Sequence, residues 1–297
     1  MKNVLITGAN GQLGNEMRVL SAENPEYTYF FTDVAELDIC NEQAVLDFVK
    51  ANNIHVIVNC AAYTAVDNAE DNVELCTKLN ADAVGYLAKA AEANGAEFIQ
   101  ISTDYVFDGT AHIPYQETEP TCPNSVYGKT KLAGEQNALS LCSRSMVIRT
   151  AWLYSTFGNN FVKTMLRLGQ EREALGVVFD QIGSPTYAAD LAMAIFAAIN
   201  APVWQPGVYH FTNEGVCSWY DFTHEIFARA QSLLGKETAD KIASCHPRPI
   251  LSSEYQYQTP RPHYSVLSKT KIKQTFGIAI PHWTEALQVC LEKLLKE

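Results

Sequence analysis

The chain has 297 residues, enough for one large domain or two modest ones. Apolar residues make up 47% and charged residues 19%, which supplies a sizeable core and excludes a disordered chain. The net charge of −11 argues against DNA, RNA or an anionic membrane surface as a partner, while leaving room for a small anion at a locally positive site. The cysteines (Cys40, Cys60, Cys76, Cys122, Cys142, Cys217, Cys245, Cys290) are scattered, with no C-x-x-C pair and no zinc spacing, and read as reduced thiols. The apolar run near the N-terminus is too short for a signal peptide, and no stretch of ~18 uncharged apolar residues occurs, so no membrane span is expected and the expected location is the cytoplasm.

In chain order, Val4–Thr7 reads as a strand and Gln12–Ser21 as a helix. Tyr27–Asp33 is a strand, Asn41–Asn52 a helix with Asn41 as its N-cap, and Val56–Ala62 an apolar strand. Val73–Asn94 reads as one long helix stopped at Gly95. The strand Glu97–Thr103, a helix near Val126–Cys142 and the strand Met146–Ala151 follow. Strands alternating with helices imply βαβ units and a doubly wound parallel sheet, a Rossmann-like α/β fold. Beyond about residue 152 the pattern loosens. Helices are expected at Asn159–Gln170, Tyr187–Asn200, Ser218–Leu234 and Thr284–Leu295, with strands at Val177–Gln181 and Val208–Thr212. The proline-rich His246–His263 reads as an extended loop. The division expected is a dinucleotide-binding domain over 1–152 and a smaller substrate-binding lobe over 153–297, some of whose segments return to the main sheet.

The first strand runs into Gly8, Gly11 and Gly14, spaced G-x-x-G-x-x-G, and then into a helix. Glycines serve a tight turn, close approach of backbone to a pyrophosphate, and close helix–strand packing, while the helix N-terminus offers unpaired N–H groups to phosphate. Asp33, at the end of the second strand, can bond the adenosine ribose hydroxyls and would repel a 2′-phosphate. The catalytic candidates are Tyr127 and Lys131, a Y-x-x-x-K pair that shares one helix face. An ammonium beside a phenol is expected to lower the tyrosine's pKa, and the tyrosine can then protonate a carbonyl oxygen. Thr103, ending the fourth strand where ligands sit in such sheets, can bond the same oxygen.

The run S-T-D-Y-V-F-D-G at Ser102–Gly109, followed by P-x-S-x-Y-G-x-x-K-x-x-G-E from Pro123, resembles the dTDP-4-dehydrorhamnose reductases, a family of extended short-chain dehydrogenases. Further matches lie at Asn59–Asp67, Arg149–Tyr154, Gly158–Phe161, Asp180–Thr186 and Pro260–Pro262, so the likeness spans nearly the whole chain. It implies reduction of the 4-keto group of dTDP-4-dehydro-L-rhamnose by NADH or NADPH, completing dTDP-L-rhamnose for cell-surface polysaccharide. It implies that Gly11, Gln12 and Leu13 approach the pyrophosphate, that Asp33, Asp38 and Ile39 surround the adenosine, and that Ala62, Tyr63 and Thr64 line the coenzyme. Thr103, Asp104 and Trp152 would meet the sugar, Tyr127 would give the proton, and Lys131 would bind the coenzyme ribose. Asn80 falls where relatives carry a helix asparagine near the coenzyme. Arg261, between two prolines, is a phosphate or nucleotide candidate; Lys163 and Arg167 are weaker ones, a solvated helix face being the competing explanation. The resemblance leaves magnesium and a homodimer open, and no carboxylate cluster in the sequence supports a metal. Two other readings compete: a nucleotide-sugar epimerase or dehydratase on the same scaffold, and a non-catalytic regulatory subunit of methionine adenosyltransferase. The intact Thr103, Tyr127 and Lys131 set weighs against the second.

Overall fold

The computed structural model describes residues 2–295. Its first half runs β1 (Asn3–Thr7), α1 (Gln12–Ser21), β2 (Thr28–Thr32), α2 (Glu42–Ala51), β3 (Val56–Asn59), α3 (Val66–Asp71), α4 (Val73–Thr77), α5 (Ala83–Asn94), β4 (Glu97–Thr103), α6 (Val126–Leu141) and β5 (Ser145–Thr150). The second half runs β6 (Leu153–Tyr154), α7 (Phe161–Glu171), β7 (Ala174–Val178), β8 (Ile182–Gly183), β9 (Thr186–Tyr187), α8 (Ala188–Ile199), β10 (Gly207–His210), β11 (Cys217–Ser218), α9 (Trp219–Leu233), α10 (Lys236–Ser244), β12 (His246–Ile250), α11 (Thr270–Phe276) and α12 (Trp283–Leu295).

Among the described residues the main sheet has the order β10-β5-β4-β3-β1-β2, and every pairing in it is parallel. The winding reverses between β1 and β3, and in open α/β sheets the crevice outside the strand C-termini at such a reversal takes the ligand. Adjacent strand residues go to opposite layers because side chains alternate across a sheet. Val4, Ile6, Val58 and Ile148 pack under α1 and α8 with Leu13, Met17, Leu191 and Ile195. Leu5, Ile57, Phe98 and Val147 pack under α2, α5 and α6 with Val45, Leu87 and Ala138. Each such side chain taken from water contributes about 1.5–3 kcal/mol. A third core, with Val162, Leu166, Phe222, Ile226, Leu287 and Leu291, joins α7, α9 and α12.

Local signals account for many boundaries. Asn41 caps α2 through the Ala44 N–H, and Gly95 ends α5 in the left-handed conformation. Several elements differ from the expectations. The long helix expected over Val73–Asn94 is interrupted by a π turn at Lys78–Asp82, which swings Asn80 inward. β7 ends at Val178, not Gln181; beyond it the Asp180 side chain accepts the Ser252 N–H and hydroxyl. The loop expected from His246 begins as a strand, parallel to β7, despite Pro247 and Pro249. The His246 N–H meets the Glu173 carbonyl, so both prolines point their missing N–H to the open edge, where it costs nothing. Helix α10 had no apolar period to reveal it, since only Ile242 on it is buried.

Helix α6 is tied to β5 by the Arg149 guanidinium, which holds both oxygens of Glu135 at 2.7–3.2 Å. The side chains are only 5% and 2% exposed. His210 lies 3.4 Å away, and burial with the neighbouring Arg149 charge pushes its pKa down to about 3, so the ring is neutral. Removing one partner strands the other charge. Arg149→Leu is therefore expected to lose about 3–5 kcal/mol in chemical denaturation, and the double variant Arg149→Leu/Glu135→Leu to recover much of it.

Candidate active site

The ends of β1, β3, β4 and β5 open onto a cavity of about 1090 Å³, walled on its far side by α7, β7, α9 and the segment from Tyr255 to Ser265. At one end Gly8 takes φ +62 and turns the chain out of β1. A Cβ there would lie 2.6 Å from the Ala61 nitrogen, so only glycine lets this turn nest against the end of β3. Gly14 works by packing too: its Cβ would sit 2.4 Å from the Gly8 carbonyl oxygen. Helix α1 starts from Gly11 with no side-chain cap and no acidic residue in its first turn. Gly11, Gln12 and Leu13 line the cavity, so the uncapped N–H groups and the positive helix end suit a pyrophosphate. Asp33 also lines it, its Oδ2 accepting the Asn10 N–H at 3.2 Å.

At the other end of the cavity Thr103 closes β4, and Asp104 follows in a single 3₁₀ turn, Asp104–Val106. The Thr103 hydroxyl donates to Asp104 Oδ1 at 2.9 Å, accepts the Tyr105 N–H at 3.2 Å, and lies near enough to the Tyr127 phenol to oppose the rise in its pKa. Asp104 is 4% exposed and its Oδ2 has no hydrogen-bond partner. Burial pushes its carboxyl up to about 6, partly offset by bonds from Thr103 and Ser265. Tyr127 is held above its ordinary value, chiefly by burial. That reverses the expected lowering by Lys131. The Lys131 ammonium is turned to the Ile101 carbonyl at 2.6 Å, and burial pushes it down to about 8, with Glu135 opposing. The phenol is thus protonated at neutral pH, the form a proton donor needs.

The sequence candidates divide by position. Gly8, Gly11, Gln12, Leu13, Asp33, Ala62, Thr64, Thr103, Asp104, Tyr127, Lys131, Trp152 and Arg261 all face the one cavity. Asp38 does not; its side chain accepts the Cys40 N–H at 2.9 Å in a local turn. Ile39 is buried in the core under α2. Tyr63 and Asn80 act together behind the wall: the Asn80 side chain accepts the Tyr63 N–H at 2.9 Å and donates to the Tyr63 carbonyl at 3.1 Å, fixing the turn that presents Ala62 and Thr64. Lys163 and Arg167 lie off the cavity on the exposed face of α7, bonded to the Gly158 carbonyl and to Glu171. Arg261 is committed to a 2.7 Å ion pair with Asp67, yet its Nη1 is buried without a partner. Among the described residues no group of three or more His, Cys, Asp or Glu is placed to hold a metal ion.

Trp152 has φ +49, rare for a large side chain, and its ring stacks on Trp219 with centroids 3.5 Å apart. Gly183 leaves room for it, since a Cβ there would lie 2.7 Å from the Trp152 ring. Trp219, Phe161, Gln181, Tyr257 and Ser265 also line the cavity and had not been singled out. They come from separate elements of the second half, and the available signal was that Gln181 and Phe161 sit inside the quoted motif runs.

The sequence matches the profile of the family described as RmlD substrate binding domain over residues 1–296. It is 42% identical to the dTDP-4-dehydrorhamnose reductase of Aggregatibacter actinomycetemcomitans over 294 residues, covering 97% of this chain and 98% of the relative. The chain belongs to the RmlD substrate-binding-domain family. Two members of known structure superpose with a TM-score of 0.90. One, a dTDP-4-dehydrorhamnose reductase from Clostridium acetobutylicum, is 42% identical, with 98% of this chain and 99% of that one covered. The other, from Bacillus anthracis and in complex with NADP, is 40% identical, with 99% and 100% covered.

The Lys131 environment makes a measurable prediction. Lys131 keeps its proton below about pH 8 and loses it above. If it donates to a coenzyme ribose, NADH affinity holds steady below that pH and falls by up to about tenfold per unit above it, following loss of the charged form. In Lys131→Met the affinity is weaker and does not change with pH. Fluorescence titration of NADH across pH checks both.

Proposed function

We propose that this chain reduces the 4-keto group of dTDP-4-dehydro-L-rhamnose to dTDP-L-rhamnose with NADH or NADPH. The observation that carries the reading is convergence. Tyr127, Thr103 and Lys131 meet on one cavity whose opposite end is the uncapped glycine turn of α1, in a chain 42% identical to a dTDP-4-dehydrorhamnose reductase. When bound, the nicotinamide supplies the hydride. The chain's own residues do the rest. On substrate binding the Thr103 hydroxyl turns its proton from Asp104 Oδ1 to the substrate oxygen beside the Tyr127 hydroxyl, and the phenol gives up its proton to that oxygen. The unpartnered Oδ2 of Asp104 is free to take a sugar hydroxyl. Trp152 and Trp219 wall the sugar with apolar surface.

The deciding assay sets NADH or NADPH oxidation with dTDP-4-dehydro-L-rhamnose beside the UDP analogue. Steady consumption of coenzyme supports reduction; an epimerase consumes none, and a regulatory subunit turns nothing over. The reading places the reaction in the cytoplasm; among the described residues no helix is long and apolar enough to cross a membrane.

Tyr127→Phe keeps the ring's packing and removes the proton. Turnover should fall by roughly 10²–10⁴-fold, the usual contribution of a general acid, with NADH affinity nearly unchanged. Near-normal turnover would mean that another acid serves.

Asp33 faces the adenosine end of the cavity, where a 2′-phosphate would meet its carboxylate. NADH should be used at least as well as NADPH. Asp33→Ala should shift the ratio of kcat/KM values towards NADPH several-fold, on the order of 1 kcal/mol. An unchanged ratio removes Asp33 from coenzyme choice.

A further inference from the structure

The loop from Ser155 to Asn160 is bolted to helix α1 at two points one turn apart. Asn160 Nδ2 donates to Gln12 Oε1 at 3.1 Å, and Ser155 Oγ donates to Glu16 Oε1 at 2.6 Å. Positions i and i+4 share a helix face, so both bolts engage the same side of α1, the helix whose first turn faces the pyrophosphate end of the cavity. Between them Gly158 takes φ +63, and a Cβ there would lie 3.1 Å from Gln12 Cγ. The loop is therefore shaped to close on Gln12.

Asn160 is also the N-cap of α7. Its Oδ1 accepts the Lys163 N–H at 3.1 Å while its Nδ2 also donates to the Ser155 carbonyl at 2.7 Å. The next residue, Phe161, lines the cavity and packs on Trp219 with centroids 4.5 Å apart, and Trp219 stacks on Trp152. A single amide thus touches the coenzyme turn on one side and starts the helix of the sugar wall on the other. The Gln12 side chain and the start of α7 thus share one hydrogen-bonded amide.

Resting on the functional reading above, we propose that Asn160 is a positioning residue that couples the coenzyme diphosphate site to the nucleotide-sugar site, so that each ligand tightens the other. Coupling between sites is reciprocal and is commonly 5–150-fold in affinity, so a value of roughly fivefold or more is expected.

The test measures NADH affinity by fluorescence, alone and with saturating dTDP-L-rhamnose, which carries the sugar but no ketone for NADH to reduce. In the unaltered protein the nucleotide sugar should tighten NADH by roughly fivefold or more. Asn160→Ser keeps a hydroxyl to cap α7 but is too short to reach Gln12, and it should reduce that ratio to near one. Gln12→Ala, which removes the acceptor, should reduce the ratio to the same degree whatever it does to NADH affinity itself. If Asn160→Ser weakens NADH but leaves the ratio intact, Asn160 is only a helix cap and the proposal is overturned. A ratio of one in the unaltered protein overturns it equally. Failure of the unaltered protein to bind NADH, NADPH or dTDP-L-rhamnose at all would overturn the functional reading, and this proposal with it.

Discussion

The site depends on how closely helix α6 can lie against its neighbours. A Cβ on Gly128 would fall 2.3 Å from the Tyr105 carbonyl oxygen, and one on Gly134 2.1 Å from that of Asn80. Both contacts are with backbone, which cannot swing aside as a flexible side chain would. Glycine at these two places lets α6 approach the 3₁₀ turn after β4 and the π turn before α5 at backbone distance. That approach sets Tyr127 against Thr103 and Lys131 against the Ile101 carbonyl. The Arg149–Glu135 pair then fixes the helix from its other end.

Depth has an electrostatic consequence. A phenol, a carboxyl and an ammonium drawn out of water each move towards their neutral forms. Tyr127 stays protonated, Asp104 is pushed up to about 6 and Lys131 down to about 8. Each group is thereby held in the form that burial favours, which for Tyr127 is the protonated phenol. The surrounding polar groups limit the cost: Asn80 bonds the Tyr63 backbone and the Thr130 hydroxyl, closing the gap that the π turn opens. Ser102 Oγ, Asp104 Oδ2 and Arg261 Nη1, all from residues that line the cavity, remain buried without partners, places where a ligand's polar groups would recover the cost.

The second half of the chain supplies walls more than chemistry. Trp152 leaves β5 in a left-handed conformation, which costs on the order of 1–3 kcal/mol for a residue of this kind and persists because Trp219 and Gly183 confine the ring. The segment that carries Tyr257 and Arg261 is tied to the first half through Asp67, which accepts the Thr259 N–H and pairs with Arg261. The cavity therefore belongs to both halves, and the links across it are as specific as the strands beneath it.

What the sequence determined by itself was the set of features that depend on neighbours in the chain. The strand–turn–helix at Gly8–Gly14, the Asn41 cap, the Gly95 stop and the Tyr127–Lys131 spacing all act within a few residues, so local pattern suffices to read them. The tertiary structure alone decided the rest. The pull of burial on Tyr127 reversed the expected effect of Lys131. Arg261 met Asp67 across 194 positions, Asn80 met Tyr63 across 17, and Trp152 met Trp219 from another element. Asp38 and Ile39 stood off the cavity although their motif placed them beside the coenzyme. Such outcomes depend on desolvation and on which distant groups arrive, and neither quantity is carried by the residue types nearby.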